Sequence, residues 1–261
     1  MSSSVMDSEV YRGIFVSERM RKVFSDESLM QKWLDAWVAL ARAEADLGVI
    51  PQEAAEKIVQ IRQFTEAVGG REGGFIHWGA TTQDIMDTAV VLQMKEAQEV
   101  LLDQLNKFIK TLLSLSDKYK STIMPGRTHG QHALPITLGY KIAIWADEIG
   151  KHIERLEAGQ DRYLVSSFSG AAGTLASISE HGLAIQEKYS EYLGLKQATI
   201  TWHVQRDGFA EYSSYIAMIA GTIGKIANEI INLQRTEIGE IEEGFKDGQI
   251  GSSTMPHKRN P

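Results

Sequence analysis

Cysteine is absent from the 261 residues. Disulfides, thiol nucleophiles and Cys-ligated zinc are therefore excluded together. Proline is scarce, confined to Pro51, Pro125, Pro135, Pro256 and Pro261, so long stretches lack helix breakers. A basic surplus is lacking as well. Lys and Arg number 27 against 34 Asp and Glu, a net charge of −7. That balance argues against a dedicated nucleic-acid binder, though not against a local basic pocket for an anionic substrate. No apolar run approaches the ~18 residues of a membrane span. Met1 to Tyr11 is polar and acidic. It lacks the basic and apolar regions of a signal peptide, so the cytoplasm is the expected location. Neither a G-x-G-x-x-G after a strand nor a G-x-x-x-x-G-K-[ST] occurs, and no cofactor is expected.

What the chain does have is an ordinary globular composition, 43% hydrophobic and 23% charged, laid out at helical spacing. From Thr82 to Lys118 the residues Met86, Val90, Met94, Ala97, Leu101, Leu105, Phe108, Leu112 and Leu115 recur every third or fourth position. That spacing predicts one helix of ~35 residues and ~50 Å. A second stripe, Leu138, Ile142, Trp145, Ile149, Ile153 and Leu156, predicts a helix from Ile136 to about Leu164. A third, Ile216, Ile219, Ile223, Ile226, Ile230 and Leu233, predicts one from Ala210 to about Glu242. Shorter helices are expected at Ser28–Leu47, capped by Ser25 or Asp26 and stopped by Gly48, then from Pro51, and at about Ser177–Tyr192. Gly69, Gly70, Gly73 and Gly74 form a break. No strand run or βαβ alternation is evident. The expectation is an all-α long-helix bundle. An N-terminal helical domain would span 1–80 and the bundle 81–261, ending in a polar loop at 247–261. Helices this long seldom bury their stripes within one 29.0 kDa chain, so an oligomer is expected.

Three polar clusters interrupt the helical text at helix ends, where free backbone N–H groups favour anions. His77-Trp78-Gly79-Ala80-Thr81-Thr82-Gln83-Asp84 also reads as a plain helix start, with a threonine cap and Asp84 in the first turn. Gly126-Arg127-Thr128-His129-Gly130-Gln131-His132 also reads as an ordinary loop. Its two histidines lack a third ligand, so no metal is expected, and acid–base work suits them better. Gly251-Ser252-Ser253-Thr254-Met255-Pro256-His257-Lys258-Arg259-Asn260-Pro261 reads either as a solvated tail or as a lid over an anionic substrate.

GSSTMPHKRNP resembles the signature of the fumarase/aspartase superfamily, GSSxMPxKxNP, at every fixed position. HWGATTQD, GRTHGQHALPITLG, SGAAGTLAS and Gln205-Arg206-Asp207 follow the order of that superfamily. The MPHKRNP ending is similar to its adenylosuccinate lyase and 3-carboxy-cis,cis-muconate cycloisomerase branch. The resemblance implies a mainly helical fold, a homotetramer whose active sites draw on three chains, and a small di- or tricarboxylate substrate. It implies β-elimination that releases fumarate, with Ser252 as base and His129 as acid. By the same resemblance Lys258 and Asn260 bind carboxylate, Thr81, Thr82, Thr128 and Gln205 position the substrate, and His77 contacts its phosphate or carboxylate side. His132, His152, His181 and His203 are expected to be structural. Thr128-His129-Gly130 resembles adenylosuccinate lyase, while His77-Trp78-Gly79-Ala80-Thr81 resembles the cycloisomerases. The retained histidine favours a C–N lyase of the purine pathway. A cycloisomerase, another succinyl-compound lyase and a non-catalytic structural homologue are the alternatives. The match covers the leading part of such enzymes. A family segment with a further histidine is expected to be missing where Ile61-Arg62-Gln63 meets Phe64-Thr65-Glu66. A glutamate that orients the acid histidine is expected beyond Pro261. The sequence as it stands is therefore expected to be truncated and inactive.

Overall fold

The structure is a computed structural model that describes residues 8, 12–60, 71–244, 248, 251–255 and 257–260. Helices α1 (Arg12–Phe15), α2 (Glu18–Val23), α3 (Asp26–Asp46) and α4 (Gln52–Gln60) come first. They are followed by α5 (Thr82–Lys118), strands β1 (Ile123–Thr128) and β2 (Gln131–Thr137), α6 (Leu138–Tyr163), α7 (Gly182–Leu193) and α8 (Asp207–Leu233). The expectations at Gly69, Gly70 and the 61–66 junction lie outside the described residues. So do Asp247, Pro256 and Pro261.

The chain divides into two compact units, one formed by Met1–Gln104 and Leu156–Ser213, the other by Leu105–Arg155 and Ser214–Pro261. In the first, Ser25 caps α3, its hydroxyl accepting the Ser28 N–H at 3.2 Å. The small residues Ala36, Ala39 and Ala43 let α3 lie close against Ile185 and Tyr189 of α7. Phe168 and Tyr189 pack ring to ring at 5.7 Å. Ala41 meets Ile50, Ala55 and Ile58 on the opposite side.

In the second unit the helical stripes hold in part. Ile142, Trp145 and Ile149 of α6 are buried as their spacing requires, and so are Ile219, Ile226 and Leu233 of α8. Ile216 and Ile223 of the same stripe are exposed, however, and the buried apolar α8 residues stand seven apart. His152 is buried beside α8. It accepts from Arg155 at Nδ1 (3.3 Å) and donates from Nε2 to Thr222 Oγ1 (2.8 Å), which donates to Glu148 (2.7 Å).

Three expectations need correction. The absence of strands fails at β1–β2, an antiparallel hairpin with Thr128 opposite Gln131 and a register shift at Gly126/Arg127. Pro125 and Pro135 face one another in it, which only edge strands tolerate, and so they hid the strand pattern. Helix α6 starts at Leu138, because β2 runs to Thr137 and the Thr137 hydroxyl accepts the Tyr140 N–H at 3.1 Å. Helix α8 stops at Leu233, well before Glu242. There the Arg235 N–H turns back to the Asn232 carbonyl (3.3 Å) and the Glu240 N–H caps the Leu233 carbonyl (3.0 Å), while a separate turn closes from the Gly239 N–H to the Arg235 carbonyl (2.8 Å).

Candidate active site

In the first unit the site begins at the head of α5. Thr81 precedes the helix and Asp84 is its third residue. The Asp84 carboxylate reaches back to accept the Thr81 N–H at 3.1 Å, the carboxylate half of a capping box. Unlike an ordinary cap, Asp84 is fully buried. It also accepts the Ser167 hydroxyl (3.1 Å), the N–H groups of Ser169 (3.1 Å) and Gly170 (2.9 Å), and His203 Nε2 (2.6 Å). One carboxylate thus ties the Thr81-Thr82 turn to the SGAAG segment and to the strip before α8. Gln83 and Arg206 reinforce that strip by donating to the His203 carbonyl at 2.6 and 2.7 Å.

His77 and Thr82 line a cavity of about 350 Å³ with Trp33, Trp37, Ile85 and Met86. Trp37 Nε1 donates to His77 Nδ1 at 3.0 Å. Burial, opposed by the nearby Asp84 charge, holds the His77 pKa below its ordinary value. His77 therefore presents a neutral ring with its N–H at Nε2. Gln205 lines a different cavity of about 380 Å³ with Trp202 and Phe209.

In the second unit, Thr128 and His129 stand exposed at the hairpin tip. His129 (φ 51°) and Gly130 (φ 74°) form the two-residue loop, both left-handed, as a type I′ turn demands. The signature loop is folded on itself: the Asn260 N–H reaches the Gly251 carbonyl at 3.2 Å and the Lys258 N–H that of Met255 at 3.1 Å. Ser252 Oγ accepts backbone N–H groups from Thr254 (3.4 Å) and Met255 (3.2 Å). Lys258 and Asn260 line a cavity of about 880 Å³ with Arg235, His257 and Arg259. Among the described residues no three His, Asp or Glu side chains gather into a metal cluster.

Within the first unit, His77 and Thr82 share one cavity, with Thr81 at the head of α5, and Gln205 lines another; within the second, Thr128 and His129 share the hairpin tip, and Ser252 lies in the loop whose Lys258 and Asn260 share a cavity. Sequence reasoning treated Asp84 as a cap and His203 as structural, without linking them across 119 positions. The Thr-Thr-x-Asp spacing was the available signal for Asp84. Nothing local pointed to His203, or to the pairing of Arg127 with Glu240.

Long helices, and a Ser-rich loop closed on its own backbone beside a cavity lined by Arg235, Lys258 and Arg259, define a helical-bundle protein. A family model described as Lyase matches residues 61–261. The chain belongs to that lyase family, within the fumarase/aspartase superfamily. It is 44% identical to N-acetyl-S-(2-succino)cysteine lyase of Enterococcus italicus, across 100% of this chain and 63% of that protein. It is likewise 44% identical to adenylosuccinate lyase of Methanothermobacter thermautotrophicus, across 93% of this chain and 60% of that protein. The crystal structure of 3-carboxy-cis,cis-muconate lactonizing enzyme from Pseudomonas putida matches with a TM-score of 0.87 at 36% identity, over 97% of this chain and 63% of that one. The chain therefore spans less than two thirds of the length of these relatives.

Proposed function

We propose that the chain carries catalytic segments of a lyase that eliminates fumarate from a succinyl-substituted substrate. The observation that carries this reading is the pair of backbone N–H groups aimed at Ser252 Oγ. A serine hydroxyl is a poor base in water. Fixed N–H donors, with the cations of the closed loop, stabilise the alkoxide that a base must become. Ser252 then takes the proton from the carbon next to one carboxylate. The electron pair left behind spreads into that carboxylate, and Lys258 and Asn260 hold the resulting negative charge. The bond from the adjacent carbon to the leaving atom breaks, fumarate forms, and His129 gives its proton to the leaving group. Thr81, Thr82, Thr128 and Gln205 position the substrate, and His77 meets an anionic group through its Nε2–H.

The leaving atom is nitrogen, as in adenylosuccinate, or sulfur, as in N-acetyl-S-(2-succino)cysteine. His129 favours nitrogen, because an amine must be protonated to depart. The name borne by a relative matched across the whole chain favours sulfur. The test is fumarate release by the full-length protein from both compounds side by side. Release from either supports the reading, and a Ser252→Ala variant should then lose turnover by orders of magnitude. Release from neither, by a folded protein, would overturn it in favour of a cycloisomerase or a non-catalytic homologue. We propose further that the protein is a homotetramer, with the exposed apolar residues of α8 as the surface between copies.

A further inference from the structure

A two-stranded hairpin is marginal by itself, yet β1–β2 must hold His129 at its tip. One guanidinium secures it. Arg127 lies two residues before His129, beside the register shift, where the extra residue, Ala133, belongs to β2. Its Nη1 donates to Glu240 Oε2 at 2.9 Å and its Nη2 to Glu240 Oε1. The same Nη2 meets His132 Nε2 on β2 at 3.1 Å. Arg127 thus joins both strands to one carboxylate 113 positions away in sequence. Glu240 is itself fixed, since its N–H caps the last turn of α8 through the Leu233 carbonyl. A second tie, Lys141 to Glu229 at 2.5 Å, joins α6 to α8 just beyond β2. The Arg127–Glu240 pair is largely shielded, with side chains 20% and 18% exposed, unlike the exposed Arg259–Glu242 pair at 57% and 68%. The Arg127 guanidinium holds the Glu240 carboxyl below the usual carboxylate range.

We propose that Glu240, acting through Arg127, is a positioning residue that fixes the His129 turn against the C-terminal end of α8. This rests on the reading of His129 as the acid. Glu240 need touch no substrate. It sets where the acid stands, and a displacement of about 1 Å at a reacting group costs on the order of 100-fold in rate. Arg127→Lys keeps the charge but loses the fork that grips both carboxylate oxygens.

The test compares the full-length protein with its Glu240→Gln, Arg127→Lys, His129→Ala and His129→Ala/Glu240→Gln variants. Expected is a loss of about 10- to 100-fold in kcat for Glu240→Gln with KM nearly unchanged, and a smaller loss for Arg127→Lys. The double variant should be no slower than His129→Ala, because Glu240 acts only through His129. Amide exchange in 123–137 should accelerate in Glu240→Gln while that in α6 and α8 holds. Additive losses, unchanged hairpin exchange, or exchange raised equally throughout would overturn the proposal. If the unaltered protein releases no fumarate, the functional reading fails, and the exchange comparison alone decides whether Glu240 holds the turn.

Discussion

Glu44 lies on α3 with no exposure to solvent, and among the described residues neither carboxylate oxygen has a hydrogen-bond partner. Burial pushes its pKa up from 4.5 to about 8. Between those values the folded state keeps a proton that the unfolded state has released, so stability falls as pH rises from 4.5 to about 8 and levels beyond. Fully expressed, that difference is worth about 5 kcal/mol. Glu44→Gln should flatten the decline and be the more stable protein at pH 8, and urea midpoints between pH 5 and 9 read it directly. No sequence pattern marks Glu44, because its helical register is that of the core and its lack of a partner is a property of the packed neighbours. His129 carries the second prediction at this scale. A thiol leaves readily as thiolate, since its pKa is about 8.5, whereas an amine needs the proton. Replacing His129 by Ala should cost ~10²–10⁴ in kcat on an N-succinyl substrate, and far less on an S-succinyl one. Equal losses on both would remove His129 from the acid role.

Among the elements, the long helices were legible and the hairpin was not. Helices α5, α6 and α8 announce themselves because apolar residues recur with the helical period over many turns. The hairpin has no such repeat. Its strands are short, mostly exposed and interrupted by proline and glycine, and its turn is specified by two left-handed residues, one of them a histidine. Gly139, at the start of α6, illustrates a constraint that no local pattern carries. A methyl group there would meet the Ser116 carbonyl and lie 2.7 Å from Lys120 Cα and N, all backbone that cannot swing aside. The Gly139 N–H also donates to the Tyr119 carbonyl at 3.0 Å. Gly139→Ala should destabilise the chain by about 1–3 kcal/mol. A thermal melt lowered by several degrees would show it, and an unshifted melt would mean the α5–α6 approach is looser than the structure has it.

Over the whole molecule, α8 is the apolar outlier. Its most apolar 18-residue window has a mean hydropathy of 1.2, and only 22% of that window is buried. By length and composition alone it could cross a membrane. Its buried residues Tyr212, Ile219, Ile226 and Leu233 form a narrow seam, while Ile216, Met218, Ile223 and Ile231 face outward. A seven-residue seam with a second apolar row beside it suits a helix packed on more than one side. Ile223→Glu should therefore split the proposed tetramer of the full-length protein while leaving its helix content intact. Sedimentation of an unchanged tetramer would place the subunit contact elsewhere.

The amino-acid sequence by itself determined the long helices, the turn that heads α5 and the signature loop, because periodicity, capping and motif spacing are local and survive without neighbours. Tertiary structure alone decided that Asp84 is buried under four hydrogen bonds from distant segments, beside the local one from Thr81. It alone decided that β1 and β2 pair and that Arg127 finds Glu240. The Asp84 and Arg127 contacts depend on groups that meet across 83 to 119 residues, the hairpin on a turn of two left-handed residues, and the strength of a buried carboxylate's contacts is set by the donors and dielectric it meets there.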